Sequence, residues 1–116
     1  MPLEWTFVRE TAIPQEIEDL LTTKEIPHAA YATIRDVAVI TNKRLIISDS
    51  QGFTGRKKEI YSIPFKSITM WSSENAGTMD LSAELQLWTR AGNIKINLKR
   101  GVDVRKFDRL IAEYVL

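Results

Sequence analysis

The 116-residue sequence contains no cysteine, and that absence removes several chemistries at once. No disulfide, thiolate nucleophile or cysteine-held metal is available, and an oxidising compartment gains no support. Histidine is almost as scarce. His28 stands alone, and one imidazole offers no relay. There is no Gly-x-Ser-x-Gly elbow, so a hydrolase nucleophile lacks its usual frame. No group of residues has metal-ligand spacing, and neither a metal nor a cofactor is expected. Long apolar runs are missing too: the stretches are as short as Val37-Ala38-Val39-Ile40, whereas a membrane-spanning helix needs about 20 such residues. The opening Met1-Pro2-Leu3-Glu4-Trp5 has neither the basic start nor the apolar middle of a signal peptide. Cytoplasm is the expected location.

What remains is the composition of one ordinary globular domain, 44% hydrophobic and 27% charged. The net charge of +1 conceals an asymmetry. Residues 1–30 carry Glu4, Glu10, Glu16, Glu18, Asp19 and Glu25 against only Arg9 and Lys24. An acidic arm on a basic body suggests docking on its own domain or on a neighbouring subunit, and ordinary surface charge explains the asymmetry at least as well.

The chain divides into an arm, residues 1–28, and a body, residues 29–116. In the arm, Trp5-Thr6-Phe7-Val8 is apolar but too short to form a core. Pro14 opens a predicted helix over 15–22, with Ile13, Ile17, Leu20 and Leu21 on one face and acids in the first turns. Pro27 ends it. From residue 29 the apolar period becomes two, predicting strands over 29–35, 37–41, 45–48, 59–63, 67–73, 81–89 and 94–98. Asn42-Lys43 reads as a two-residue hairpin turn in which Asn tolerates positive φ. After Gly101 the pattern turns helical. Asp103 is the predicted N-cap, and Val102 is placed to staple onto Phe107. Val104, Phe107, Leu110, Ile111, Tyr114 and Val115 make one stripe, with Arg105, Lys106, Arg109 and Glu113 opposite.

Several features invite a functional reading. Gly52-Phe53-Thr54-Gly55-Arg56-Lys57-Lys58 superficially resembles a phosphate-binding loop. A true one runs from its lysine through Ser or Thr into a helix, but here Glu59-Ile60-Tyr61 continues as a strand, so hairpin geometry explains the glycines better. The cations Arg56, Lys57 and Lys58 are the candidates for binding anions or anionic lipid, each worth on the order of 1 kcal/mol beside a charged membrane, but Glu59 follows directly and a solvated hairpin tip is the plainer reading. The helical face with Lys99, Arg100, Arg105, Lys106 and Arg109 is weaker, because charge is expected there anyway. Trp88 alternates with Glu84 and Gln86 on the polar face of its strand. Those neighbours repel or ignore phosphate, which disfavours nucleic acid, and an aromatic so placed marks an interface. Trp5 and Phe7 are read the same way. Asp80 and Glu84 sit at even spacing, as paired carboxylates would, but they are better explained by a turn and a solvated strand face. No catalytic residue is assigned.

Several ordered segments together carry a family resemblance: Ile34-Arg35-Asp36, Thr41-Asn42-Lys43-Arg44-Leu45, Gln51-Gly52-Phe53-Thr54-Gly55-Arg56-Lys57, Ser62-Ile63-Pro64-Phe65-Lys66-Ser67-Ile68 and Ala76-Gly77-Thr78-Met79-Asp80-Leu81-Ser82-Ala83-Glu84-Leu85. From about residue 30 onward the chain resembles bacterial pleckstrin-homology-like domains. The resemblance implies a mostly β (α+β) roll of about seven antiparallel strands in two near-orthogonal sheets, capped by the C-terminal helix. It also implies a stand-alone, non-enzymatic protein that assembles into homo-oligomers, rings among them. The expectation is therefore a self-associating scaffold that binds itself and a further protein partner, with Trp5, Phe7 and Trp88 at subunit contacts. The alternative is a peripheral module holding anionic lipid or phosphate headgroups through Arg56, Lys57 and Lys58.

Overall fold

The structure is a computed structural model that describes residues 3–51, 56–75 and 82–116. Strands β1 (Leu3–Thr11), β2 (Pro27–Thr33), β3 (Val37–Thr41), β4 (Arg44–Gln51), β5 (Lys57–Pro64), β6 (Ile68–Glu74), β7 (Ser82–Thr89) and β8 (Gly92–Lys99) are joined by hydrogen bonds into one sheet. Helix α1 (Gln15–Glu18) lies between β1 and β2, and helix α2 (Val104–Val115) follows β8. The glycine-rich hairpin tip of residues 52–55 lies outside the described residues, as does the segment 76–81 with Asp80 and the predicted start of the strand over 81–89.

The strand order is β5-β4-β3-β2-β1-β8-β7-β6. The two terminal strands, β5 and β6, are consecutive in sequence and joined only by the 3-10 turn Phe65–Ser67. The sheet must therefore curl until its ends approach. Trp5 on β1 meets Tyr61 on β5 edge to face, with ring centroids 5.0 Å apart, across the inside of that curl. Irregular register within β1, β2 and β6 sharpens the bend. This is the expected roll with its capping helix, built, among the described residues, from eight strands instead of seven.

The additional strand is the first. β1 lies parallel to β8 over Leu3–Phe7 and then antiparallel to β2 over Phe7–Thr11. Trp5 and Phe7 alternate inward, while Glu4 bonds Asn97 on the outside. Phe7, Tyr31 and Phe107 form a ring cluster with centroid separations of 5.4–5.6 Å. Each such pair adds about 1 kcal/mol beyond its buried area. Trp5 and Phe7, expected at subunit contacts, are thus core residues of their own chain.

α2 closes the roll. The Asp103 carboxylate accepts from the Arg105 and Lys106 amides, as its predicted cap role requires. Phe107 and Ile111 are fully buried, and Val104, Leu110, Tyr114 and Val115 pack beside them. On the polar side, Asp108 accepts from Trp71 Nε1 at 3.0 Å and from the Ser73 hydroxyl, fastening the helix to the terminal strand β6.

A second, smaller core lies on the outer face. Ile17, with Ile13 and Leu21, covers Ala30, Val37, Val39 and Ile46. This explains why every residue of β3 is buried: Ala38 and Ile40 face the inner core, and Val37 and Val39 face the outer one. The acidic segment docks on its own domain. Its helix is shorter than predicted, ending at Glu18, so Leu20 leaves the packed face and is exposed.

Candidate binding surfaces

Beyond α1 the chain reaches the β3–β4 turn, where it is fastened by a group that local sequence patterns did not reveal. Glu25 is buried, its side chain only 1% exposed. Its carboxylate accepts from Arg44 Nε at 2.8 Å and from the Arg44 terminal nitrogen at 3.0 Å. It also accepts from the Thr41 hydroxyl at 2.7 Å and the Thr22 amide at 3.1 Å. Burial alone would raise its pKa, but these donors and the Arg44 charge outweigh burial and hold it at about 2. Asn42 adds two bonds, accepting from the Ile26 amide at 2.8 Å and donating to the Lys24 carbonyl at 3.2 Å. Among the described residues no non-glycine has positive φ. Asn42 therefore serves this turn through its side chain, and not by tolerating a left-handed backbone. Nineteen residues separate Glu25 from Arg44, and no motif links them.

These groups wall a cleft of about 420 Å³ between the β3–β4 turn, the β5–β6 corner and the last turn of α2. Lys43 and Lys66 also line it, and Phe65, Pro64 and Tyr114 supply apolar lining. The Tyr114 hydroxyl lies 2.6 Å from His28 Nε2, so the one histidine holds the end of α2 against the start of β2.

The basic hairpin expected to grip anions divides its charges. Lys58 reaches Asp36 at 3.1 Å and Glu16 at 3.3 Å. The hydrogen bond to Asp36, then that to Glu16, raises its pKa. Lys57 and Arg56 are exposed. Nearby, Arg35 faces Asp49 at 3.8 Å and donates to the Ser50 carbonyl. The helical cations divide likewise: Lys106 pairs with Glu10 at 2.8 Å, while Arg105 and Arg109 flank Asp108 in an open cleft.

Trp88 keeps its expected place on the outer face. It is half-buried and stands opposite Met70, which is 53% exposed on the terminal strand β6. Glu84 on the same face pairs with Lys95 at 3.3 Å. Among the described residues, no helix is long and apolar enough to cross a membrane.

Known proteins share this architecture. The bacterial PH domain family model matches residues 3–115. Uncharacterized protein YjqA of Bacillus subtilis (strain 168) is 47% identical over 77 residues, 66% of this chain; the match spans only 62% of YjqA. YozO of the same organism is 25% identical over 101 residues, covering 87% of this chain and 88% of its own. Among solved structures, a DUF1696 family protein with a pleckstrin-homology domain from Shewanella loihica PV-4 is 40% identical. It superposes with a TM-score of 0.84, covering 93% of this chain and 97% of that one. A pleckstrin homology domain from Shewanella amazonensis SB2B is 42% identical with a TM-score of 0.70, covering 88% and 84%. The family match includes β1, so the strand absent from the seven-strand expectation lies within the shared domain. By sequence and by the curled, helix-capped sheet alike, the chain belongs to the bacterial PH domain family.

Proposed function

We propose that the chain is a non-enzymatic module that self-associates and acts as an oligomeric scaffold for other proteins, with Trp88 and Met70 at the subunit contact. The observation that carries this reading is the apolar pair itself: a half-buried tryptophan opposite an exposed methionine, on the outer face at one end of the sheet. Interface cores favour aromatic residues and Met. The topology supports it as well, since among the described residues β5 and β6 each have a strand neighbour on one side only. Like pairing with like gives a two-fold dimer, and β5 against β6 of the next copy gives a ring if the rotation closes. Many copies on one assembly would multiply weak contacts to a protein partner. Trp5 and Phe7 have no part in this contact because they are buried in their own core.

The competing reading, adhesion to anionic lipid through Arg56, Lys57 and Lys58, is weakened by the two acids that already hold Lys58. Light scattering of the wild type, Trp88→Ala and Met70→Lys tests the proposal. The wild type is expected to have several times the monomer mass and both variants a lower one, with circular dichroism unchanged. A monomeric wild type, or variants that keep the full mass, would overturn it. Salt-sensitive pelleting with anionic vesicles, lost when the three cations become Glu, would favour the lipid module.

A further inference from the structure

The cleft at the β3–β4 turn lies far from the basic hairpin. β4 and β5 pair from Arg44↔Pro64 at the cleft to Gln51↔Lys57 at the hairpin. At about 3.3 Å per residue the two ends are roughly 23 Å apart. Its volume of about 420 Å³ falls within the range of small-molecule sites.

Charge in the cleft is unbalanced. Arg44 is consumed by Glu25, and it also bonds Ser62 Oγ at 2.9 Å and the Leu20 carbonyl at 3.2 Å. Lys43 and Lys66 are exposed and form no ion pair among the described residues. Two lysines without an ion pair among the described residues therefore line the cleft beside Glu25 and Arg44, which are neutral as a pair. Lysine is a point-charge donor with three protons, and it suits a phosphate oxygen cluster. The apolar part of the lining comes from Pro64, Phe65 and Tyr114. The Phe65 and Tyr114 rings lie 6.1 Å apart at an interplanar angle of 15°, with Pro64 alongside. Tyr114 has already committed its hydroxyl to His28. It also stands in the last turn of α2, whose carbonyls disfavour an anion nearby. A ligand is thereby oriented, with its anion toward the lysines and its ring toward Tyr114. The hydrogen bonds of Glu25, Arg44 and Asn42 fix that part of the lining beforehand, so binding has chiefly the two lysine side chains to order.

We infer that this cleft is a binding site for a small phosphate monoester carrying a flat apolar group, held by Lys43 and Lys66 and stacked beside Tyr114. The test is a titration of the full chain with phenyl phosphate and with inorganic phosphate, followed by amide chemical shifts. Saturable shifts are expected at Lys43, Lys66 and Tyr114, with phenyl phosphate binding about tenfold tighter than inorganic phosphate. The double variant Lys43→Gln/Lys66→Gln should weaken phenyl phosphate by about tenfold or more, and Lys57→Gln should leave it unchanged. Because both lysines are exposed and form no ion pair among the described residues, the variant is expected to keep its fold, which the same spectra report. The inference is overturned by no saturation up to about 10 mM, by shifts centred on residues 56–58, or by equal binding in the double variant. Vesicles of phosphatidic acid in phosphatidylcholine distinguish the source. Sedimentation with them that depends on Lys43 and Lys66 would assign the lysines to a membrane surface and end the small-molecule reading.

Discussion

Replacing Glu25 by Gln tests the physical account of how the acidic segment is held. The carboxylate titrates at about 2 in the folded chain, against an ordinary 4.5. A difference of about 2.5 corresponds to about 3 kcal/mol of stabilisation when the group is ionised in both states. Its sign follows from proton binding. As the pH falls, the unfolded chain takes up the proton first, so the contribution is complete above about pH 4.5 and is lost as the pH falls through 2. Glu25→Gln keeps the shape but leaves Arg44 without its charge partner. Breaking a buried pair costs about 3–5 kcal/mol, and Arg44, 23% exposed, recovers some hydration, so a loss near 3 kcal/mol is expected at neutral pH. Urea unfolding followed by tryptophan fluorescence measures it directly. Between about pH 4.5 and 2 the wild type should lose its advantage over the variant at up to about 1.4 kcal/mol per pH unit. A variant that runs parallel to the wild type through that window, or loses under ~1 kcal/mol at neutral pH, refutes the argument. Removing both charges, as Glu25→Leu with Arg44→Met, should recover part of the loss, because the remaining cost is that of one orphaned ion.

The features legible in the sequence are those whose signal is local. Asp103 two residues after Gly101, followed by an apolar stripe, specified α2 and its cap. Strict alternation through Ile94, Ile96 and Leu98 identified an inward face, and all three are buried. The same alternation put Trp88 on the outer face, where it is found. What stayed hidden depends on partners distant in the chain. Trp5 and Phe7 follow the strand period too, but their neighbour β8 lies about ninety residues on. With no local partner, a short apolar opening looks like an arm. Helix periodicity likewise continued to Leu20, although packing on Val39 and Ile46 needs only Ile13, Ile17 and Leu21. Charges mislead in the same way. Nothing local marks Glu25, one of the arm's acids, as the partner of Arg44 until the fold brings them together, and Lys58 reads as one of three cations until Glu16 and Asp36 meet it. A cluster of like charges in a sequence therefore gives an upper limit on the charge that a surface presents.

Two further perturbations separate packing from polar bonding at the helix cap. Tyr31 is buried against Phe7 and Phe107 with no hydrogen-bond partner for its hydroxyl among the described residues, and burial, with Glu10 and Asp103 adding, pushes its pKa upward. An unpaired buried hydroxyl costs about 1–3 kcal/mol, so Tyr31→Phe should leave thermal stability unchanged or raise it, and a clear loss would reveal a partner that the geometry does not contain. Asp108→Ala should cost about 2 kcal/mol, because it removes the acceptor for both Trp71 Nε1 and Ser73 and leaves the half-buried indole N–H unpaired. The loss should be accompanied by faster amide exchange in α2 and β6, where the bond acts; exchange that rises evenly along the chain would mean that Asp108 supports the domain generally and does not fasten the helix to the sheet's end.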